Sequence, residues 1–344
     1  MLVAHHLASA VLPRYTSKYS RHDFTLPQLF ACLAVKELLG RTYRGAEALL
    51  RDCRHWCRAV GMNEKVPDHN TLCNAAAWLL RRRNVGGLLD AVARWAAQAR
   101  ALGLGDKPFA GDSTHFETRH VSRHYERRCA KARRNLRKRA AKRGCRARTV
   151  KRLPKLGLGV CCASHLILST WVGTGAGSDS PHFEKVLFDA WRRVPHKKFT
   201  AVFDAGYDAE HNHALARREM GIRTIIPPRV GRPTEKPPPP DSWRGRMRRL
   251  LRSRRSRRAC GYTQRWQAET VVSMIKRNLG DELRGRTARS RKRDMLLKVL
   301  VHDLMIIRRQ SERRDRADVT PFRLLAETLS RRLGRMAAAP TDAI

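Results

Sequence analysis

Three acidic residues carry the chemistry this sequence offers: Asp112, Asp204 and Glu269. Asp112 closes the short apolar run KPFAGD, and Asp204 closes KFTAVFD. Each run reads as a strand, so each aspartate is expected at a strand end. Glu269 is expected on a helix running from Tyr262 to about Leu279. Carboxylates at strand ends and on a flanking helix can converge on one point. Three such groups repel one another strongly unless cations neutralise them. A site of this kind suits a hard cation, magnesium or manganese, held by a few carboxylates and completed by water and phosphate.

The elements that must position these residues follow in a legible order. LGLGVCCA and HLILSTWVG read as two strands joined tightly at Ser164. SPHFEKVLFDAWRRV is an amphipathic helix entered through Ser180 and Pro181, where proline suits the first turn. AEHNHALARREMG is a helix closed by Gly221, and IRTIIPP is a strand cut off by prolines. From 107 to 280 the order is therefore strand, strand, strand, helix, strand, helix, strand, helix. Three strands followed by alternation predict an α/β fold with a mixed sheet, antiparallel first and then parallel, covered by helices.

Ahead of this lies a helical region. FTLPQLFACLAVKELLG repeats apolar positions at three- and four-residue spacing and stops at Gly40; RGAEALLRDCRHWCRAVG does the same and stops at Gly61. PDHNTLCNAAAWLLRRR offers Asp68 or Asn70 as a cap, and VGGLLDAVARWAAQARALG completes the unit. Two segments break the α/β pattern. Residues Arg119 to Arg152 hold 16 Lys or Arg and almost no large apolar residues, so this tract cannot pack a core alone. GRPTEKPPPPD cannot continue a strand or helix, and the nine arginines between Arg244 and Arg258 that follow are expected in a linker or loop. The expected organisation is an N-terminal helical region over 1–104, whose outward Arg and His could lie on DNA, and an α/β domain over 105–312 that carries the three acids. The latter is interrupted by a basic insertion at 117–153 and a Pro/Arg-rich segment at 228–260. A basic tail, 313–344, follows.

Charge points to the partner. The chain of 344 residues has 72 Lys plus Arg against 30 Asp plus Glu, a formal net charge of +42. Self-repulsion of that size opposes a compact state, and a polyanion such as nucleic acid relieves it. An anionic membrane suits less well, because the basic segments lack interleaved bulky apolar residues. No apolar run approaches the roughly 20 residues of a membrane span, and no signal peptide is expected. Nine cysteines, an odd number in a large chain expected to stay where it is made, suggest reduced thiols in a cytosol. Cys53, Cys57, His69 and Cys73 offer four possible zinc ligands, but their spacing resembles no common finger and buried thiols are the expectation.

The residues around the acids resemble a known family. Gly111-Asp112-Ser113-Thr114, Asp204-Ala205-Gly206-Tyr207-Asp208, and the set Tyr262, Arg265, Glu269 and Lys276 in Y-x2-R-x3-E-x6-K spacing are similar to DDE-type insertion-sequence transposases of the insertion-sequence-four superfamily. TYRGAEALL, VPDHNTLC, Lys155-Leu156 and the Asp179-Ser180 pair add softer matches. The likeness covers roughly residues 24 to 310, and the basic insertion and the short proline-rich stretch depart from it. The resemblance implies an RNase H-like catalytic domain that cuts the ends of a mobile element and joins them to new DNA. It implies two Mg2+ or Mn2+ ions about 4 Å apart at the scissile phosphate, Asp112 bridging both, with Asp204 and Glu269 each holding one. Tyr262, Arg265 and Lys276 would contact DNA, with Arg265, Glu269 and Lys276 on one side of a helix. The implied partners are double-stranded DNA, as terminal inverted repeats and as target, and a second copy of the chain in the synaptic complex. A prokaryotic cytoplasm with its nucleoid is the implied location.

Other residues weigh less. Asp208 suits a helix cap; His115 and Glu117 suit a surface loop; Asp179 is either structural or shapes the site; His182, His211 and His213 lack ligand spacing. Rival readings are a retained DNA-binding protein descended from a transposase, an RNA-binding protein, a tyrosine recombinase and a simple metal nuclease. Aromatic content of 6% argues against RNA stacking, and the last tyrosine, Tyr262, lies too early for a recombinase. The nuclease differs only in not rejoining the cut ends.

Overall fold

The alternating residues around the first aspartate form the centre of a sheet. The computed structural model describes residues 1–63, 65–104, 107–119, 123–142, 153–175, 177–194, 199–229 and 237–315, with backbone alone for 123–126, 129, 133, 140 and 313–315. Two compact units result, Met1–Ala96 with Leu300–Ile344, and Ala97–Val299. The expected tail beyond Asp315 lies outside the described residues.

The first unit holds α1 (Leu2–Ser9), α2 (Leu26–Leu38), α3 (Tyr43–Asp52), α4 (Arg54–Arg58), α5 (His69–Leu79) and α6 (Arg82–Gln98). The unit boundary falls at Ala96, two residues before α6 ends. Thr25 starts α2 with a capping box: its hydroxyl accepts from the Gln28 N–H, and the Gln28 side chain accepts from the Thr25 N–H at 2.8 Å. Asp68, rather than Asn70, caps α5 by accepting from the Thr71 N–H at 2.6 Å. The expected single helix over RGAEALLRDCRHWCRAVG is broken at Cys53 into α3 and α4. Apolar stripes of these helices bury Phe30, Leu33, Leu50, Leu72, Leu79 and Leu88.

The second unit runs β1 (Phe109–His115), β2 (Glu117–Thr118), α7 (Arg123–Lys142), β3 (Pro154–Cys161), β4 (Ile167–Thr174), α8 (Phe183–Arg193), β5 (Thr200–Phe203), α9 (Glu210–Ala214) and β6 (Arg223–Ile225). It continues with α10 (Trp243–Leu250), α11 (Arg254–Ala259), α12 (Trp266–Leu279), β7 (Glu282–Leu283) and the start of α13 (Ala288–Asp315), whose residues from Leu300 group with the first unit. The sheet order is β4-β3-β1-β5-β6, antiparallel among the first three and parallel from β1 to β6. This is the mixed, helix-flanked sheet of an RNase H-like fold. All eight residues of β3 are buried, as a strand covered on both faces requires. Phe203 is packed by Phe183 and Tyr207, with ring centroids 4.9 and 4.8 Å away. Among the described residues no helix is long and apolar enough to cross a membrane.

Three expectations are corrected. Asp112 lies in the middle of β1, opposite Leu158, because pairing with β3 continues to His115↔Lys155. The arginines between 244 and 258, Arg252 excepted, are helical, not a loop: Met247 and Leu251 are buried at a four-residue spacing from Trp243, an apolar stripe hidden among cations. Asp208 is not a helix cap. Its buried carboxylate accepts a fork from Arg244, Nε to Oδ1 at 2.9 Å and Nη2 to Oδ2 at 2.6 Å. Glu210 accepts from the Trp243 and Arg244 N–H groups at 2.8 and 3.1 Å, and Trp243 lies between the Arg217 and Arg246 cations.

Removing the arginine from this clasp strands a buried charge. Arg244→Met is expected to lower stability by about 2 kcal/mol in chemical denaturation, below the roughly 3–5 of a fully buried pair because the guanidinium is partly exposed. An unchanged midpoint would show that the Arg244–Asp208 fork adds nothing to stability.

Candidate active site

The two aspartates meet through the register of the central strands. β1 and β5 pair in parallel from Phe109↔Ala201 to Gly111↔Phe203, and there the β5 ladder stops. Asp112 and Asp204 are the residues that follow this last pair, so the register makes them neighbours, and Asp204 is one of the charges acting on Asp112. Asp112 accepts from the Ser113 N–H at 2.8 Å, and Asp204 accepts from the Gly206 N–H at 2.9 Å. Burial pushes the Asp112 carboxyl up to about 6; the Ser113 N–H and Arg265 oppose that shift, while Asp204 and Glu269 add to it. Burial also raises the Asp204 carboxyl, with Asp179 adding to the effect and Gly206, Arg265 and Lys155 opposing it.

Glu269 comes from the other layer. Gly261, with φ of +79°, lets the chain turn into a 3-10 segment, Tyr262–Arg265, and α12 begins only at Trp266. The expected continuous helix from Tyr262 is thus a tighter turn followed by an α-helix. α12 packs on β1 and β3, and Glu269 lies in its first turn. Its exposed carboxylate is held by Arg265, Nη2 to Oε1 at 2.5 Å. Burial alone would lower the Arg265 guanidinium, but Glu269, Tyr262 and Asp112 together hold it more firmly protonated. The Tyr262 phenol is raised by burial, with Asp204 adding to the effect and Arg265 opposing it. Lys276, one turn from the end of α12, places Nζ 5.5 Å from the centre of the Phe116 ring.

The structure therefore brings Asp112, Asp204, Arg265, Glu269 and Tyr262 into one electrostatic neighbourhood and sets Lys276 two to three turns further along α12. Among the described residues no three His, Cys, Asp or Glu side chains are arranged to hold a metal ion as they stand. Glu269 answers to a guanidinium instead. The donor set nevertheless fits a hard cation. Two partly buried carboxylates are neighbours, a third carboxylate bears on the first, and Arg265 offsets both aspartates, with Lys155 also offsetting Asp204.

A metal ion held by Asp112 would have to compete with a proton. The fold binds this proton more tightly than an unfolded chain, whose aspartate titrates near 3.9. Metal-free stability should therefore fall as pH rises from about 4 to about 6. Mn2+ affinity should rise about tenfold per pH unit up to about pH 6 and then level off. Isothermal titration across pH 5 to 8 checks this, and a flat profile would remove Asp112 from the site.

Other sequence candidates separate from the site. His115 Nε2 lies 3.0 Å from the Gly175 carbonyl oxygen, and Glu117 is exposed on β2. His182 stacks on Trp171 at 3.7 Å. His213 is buried against Thr224 and pushed down to about 4, mainly by burial. Cys57 is buried and bonded to the Leu50 carbonyl, His69 pairs with Glu47, and Cys73 is exposed. Sequence reasoning missed Trp266, which is 53% exposed beside Arg265. An indole between two polar residues on a helix's outer face was its only signal. The environment of Asp179 was also missed. A lysine, Lys155, inside an otherwise apolar strand was the clue, since such a charge needs a buried partner.

Residues 104–304 match the family described as transposase DDE domain. No curated protein and no solved structure matches the chain significantly.

Proposed function

From the premise that the chain belongs to the transposase DDE-domain family, we propose that it cuts double-stranded DNA at the ends of its element and joins them to target DNA. The observation that carries this is the neighbouring placement of Asp112 and Asp204 at the end of the β1–β5 ladder, with Glu269 bearing on Asp112 from α12. Asp112, Asp204 and Glu269 would hold Mg2+ or Mn2+, as one ion or two. When bound, the metal supplies a more acidic water or 3′-hydroxyl and a counter-charge for the leaving oxygen.

The chain's own residues do the rest. Asp112 and Asp204 must be ionised, which the neighbouring Arg265 favours. Arg265 holds Glu269 until a cation competes for the carboxylate, and its fork is then available to a phosphate. Tyr262 holds its proton in this buried setting, so its hydroxyl can donate to a phosphate oxygen. Lys276 adds positive charge further along the same helix.

The exposed cations of α7 and the arginines of α10 and α11 would neutralise the duplex backbone. In the N-terminal unit a cavity of about 420 Å³ lined by Arg21, Arg51, Arg54 and Lys65, with Asp23 and Asp68, supports a DNA-binding role for those helices. Bringing two DNA ends together calls for a pair of subunits, hence a homodimer in the working complex.

The test is an incubation of the full chain with a duplex carrying its element's end and a plasmid target, in Mg2+ or in chelator. Metal-dependent scission followed by joined product supports the proposal. Scission without joining would leave a metal nuclease, and tight binding without scission would leave a DNA-binding protein derived from a transposase.

A further inference from the structure

Past Gly111↔Phe203 the two aspartate-bearing segments share no ladder pairing, yet their side chains must keep a fixed spacing. A short loop on the other side of the sheet spans the gap. Successive strand residues point to opposite faces, so Ser113 lies on the face away from Asp112. There the Ser113 hydroxyl donates to Asp179 Oδ2 at 2.7 Å. Lys155 Nζ lies 2.5 Å from Asp179 Oδ1 and donates to the Gly177 carbonyl at 3.0 Å. Both Lys155 and Asp179 are buried, and the Trp171 ring lies 5.7 Å from the ammonium. The neighbouring residues of the loop reach the second segment. The Ser178 hydroxyl donates to the Gly206 carbonyl at 3.4 Å. Asn212 Nδ2 donates both to the Ser180 hydroxyl at 3.0 Å and to the Tyr207 carbonyl at 2.8 Å.

Loop residues 177–180 thus bond to the residue after Asp112 and to Gly206, and are linked to Tyr207 through Asn212. We infer that this loop is a strap that sets the spacing of Asp112 and Asp204, with Ser113, Lys155 and Asp179 as its positioning residues; the inference rests on reading the two aspartates as metal ligands. A buried ion pair adds little to stability that an apolar pair of the same shape would not add. Its contribution here is geometric: it fixes Asp179 where it can grip Ser113. The pair also brings opposite charges to the back of the site, the aspartate and the lysine acting on Asp204 in opposite senses. Residues behind metal ligands characteristically change affinity by about 10- to 100-fold when removed.

The experiment uses the full chain and Mn2+ as probe, reading Mn2+ affinity, duplex binding in chelator and the thermal midpoint. Ser113→Ala and Asp179→Asn are expected to weaken Mn2+ binding about tenfold or more while duplex binding in chelator persists. Ser113→Thr, which keeps the hydroxyl, should restore parental affinity. Parental Mn2+ binding by both Ser113→Ala and Asp179→Asn overturns the strap, as does a Ser113→Thr variant as weak as Ser113→Ala. Should Asp179→Asn fail to fold, the Ser113 variants decide alone. Asp112→Ala and Asp204→Ala run in parallel: if these keep parental affinity, the metal-ligand reading fails and the strap falls with it. If they lose it while the strap variants do not, only the strap is wrong.

Discussion

Asp112→Ala and Asp204→Ala are each expected to lower metal-dependent DNA scission by at least about a thousandfold, equivalent to about 4 kcal/mol of transition-state stabilisation. Binding of the same duplex in chelator should hold or tighten slightly, since each substitution removes a negative charge from the site proposed to receive the phosphate. The asymmetry between binding and scission matters because a misfolded variant would lose both. Glu269→Ala is expected to follow the aspartates in scission. It should differ in leaving Arg265 without its 2.5 Å partner, so duplex binding in chelator should rise more than for the aspartates. Activity within tenfold of the parent in the Asp112 and Asp204 variants would place the chemistry elsewhere.

The second large effect lies one residue earlier. A Cβ on Gly111 would sit 2.0 Å from Phe203 Cε1 and 2.3 Å from its Cδ1. Phe203 is fully buried between Phe183 and Tyr207, so its ring has little room to retreat. Gly111→Ala is therefore expected to destabilise the protein by about 3 kcal/mol, lowering the thermal midpoint by roughly 6–12 °C. It should also abolish scission, because Gly111 and Phe203 immediately precede the two aspartates and any separation of β1 from β5 is passed on to them. Phe203→Leu in the same chain should recover part of the stability, a coupling that a double-mutant cycle measures. Equal losses with and without Phe203→Leu would show that the ring is not the obstacle.

The fold was readable where periodicity and punctuation agreed. The strands around Asp112 and Asp204, the hairpin at Ser164 and the cap at Asp68 each rest on local patterns that tertiary packing reinforced. Errors arose where a partner distant in sequence decided the outcome. Asp208 has the residue type and place of a cap, but Arg244, 36 residues on, claims it. Asp112 looked terminal because apolar residues stop there, while β1 continues along β3 through polar residues. The α10 stripe of Trp243, Met247 and Leu251 is only three residues among arginines, too sparse to outweigh their charge. In the candidate site, motif spacing singled out three acids, and the strand register makes two of them neighbours. Neither the Arg265–Glu269 pair nor the strap through Asp179 follows from spacing alone, since both depend on which side chains the sheet faces bring together.

On the proposed function, Asp112, Asp204 and Glu269 together hold the metal of a DNA-cutting site. A crystal of the full chain with an uncleavable duplex end and Mn2+, measured for anomalous scattering, tests it most directly. Manganese bound to all three carboxylates, with Arg265 parted from Glu269 and set against a phosphate, is the predicted result. Manganese bound elsewhere, or an Arg265–Glu269 pair left intact at saturating metal, would contradict it.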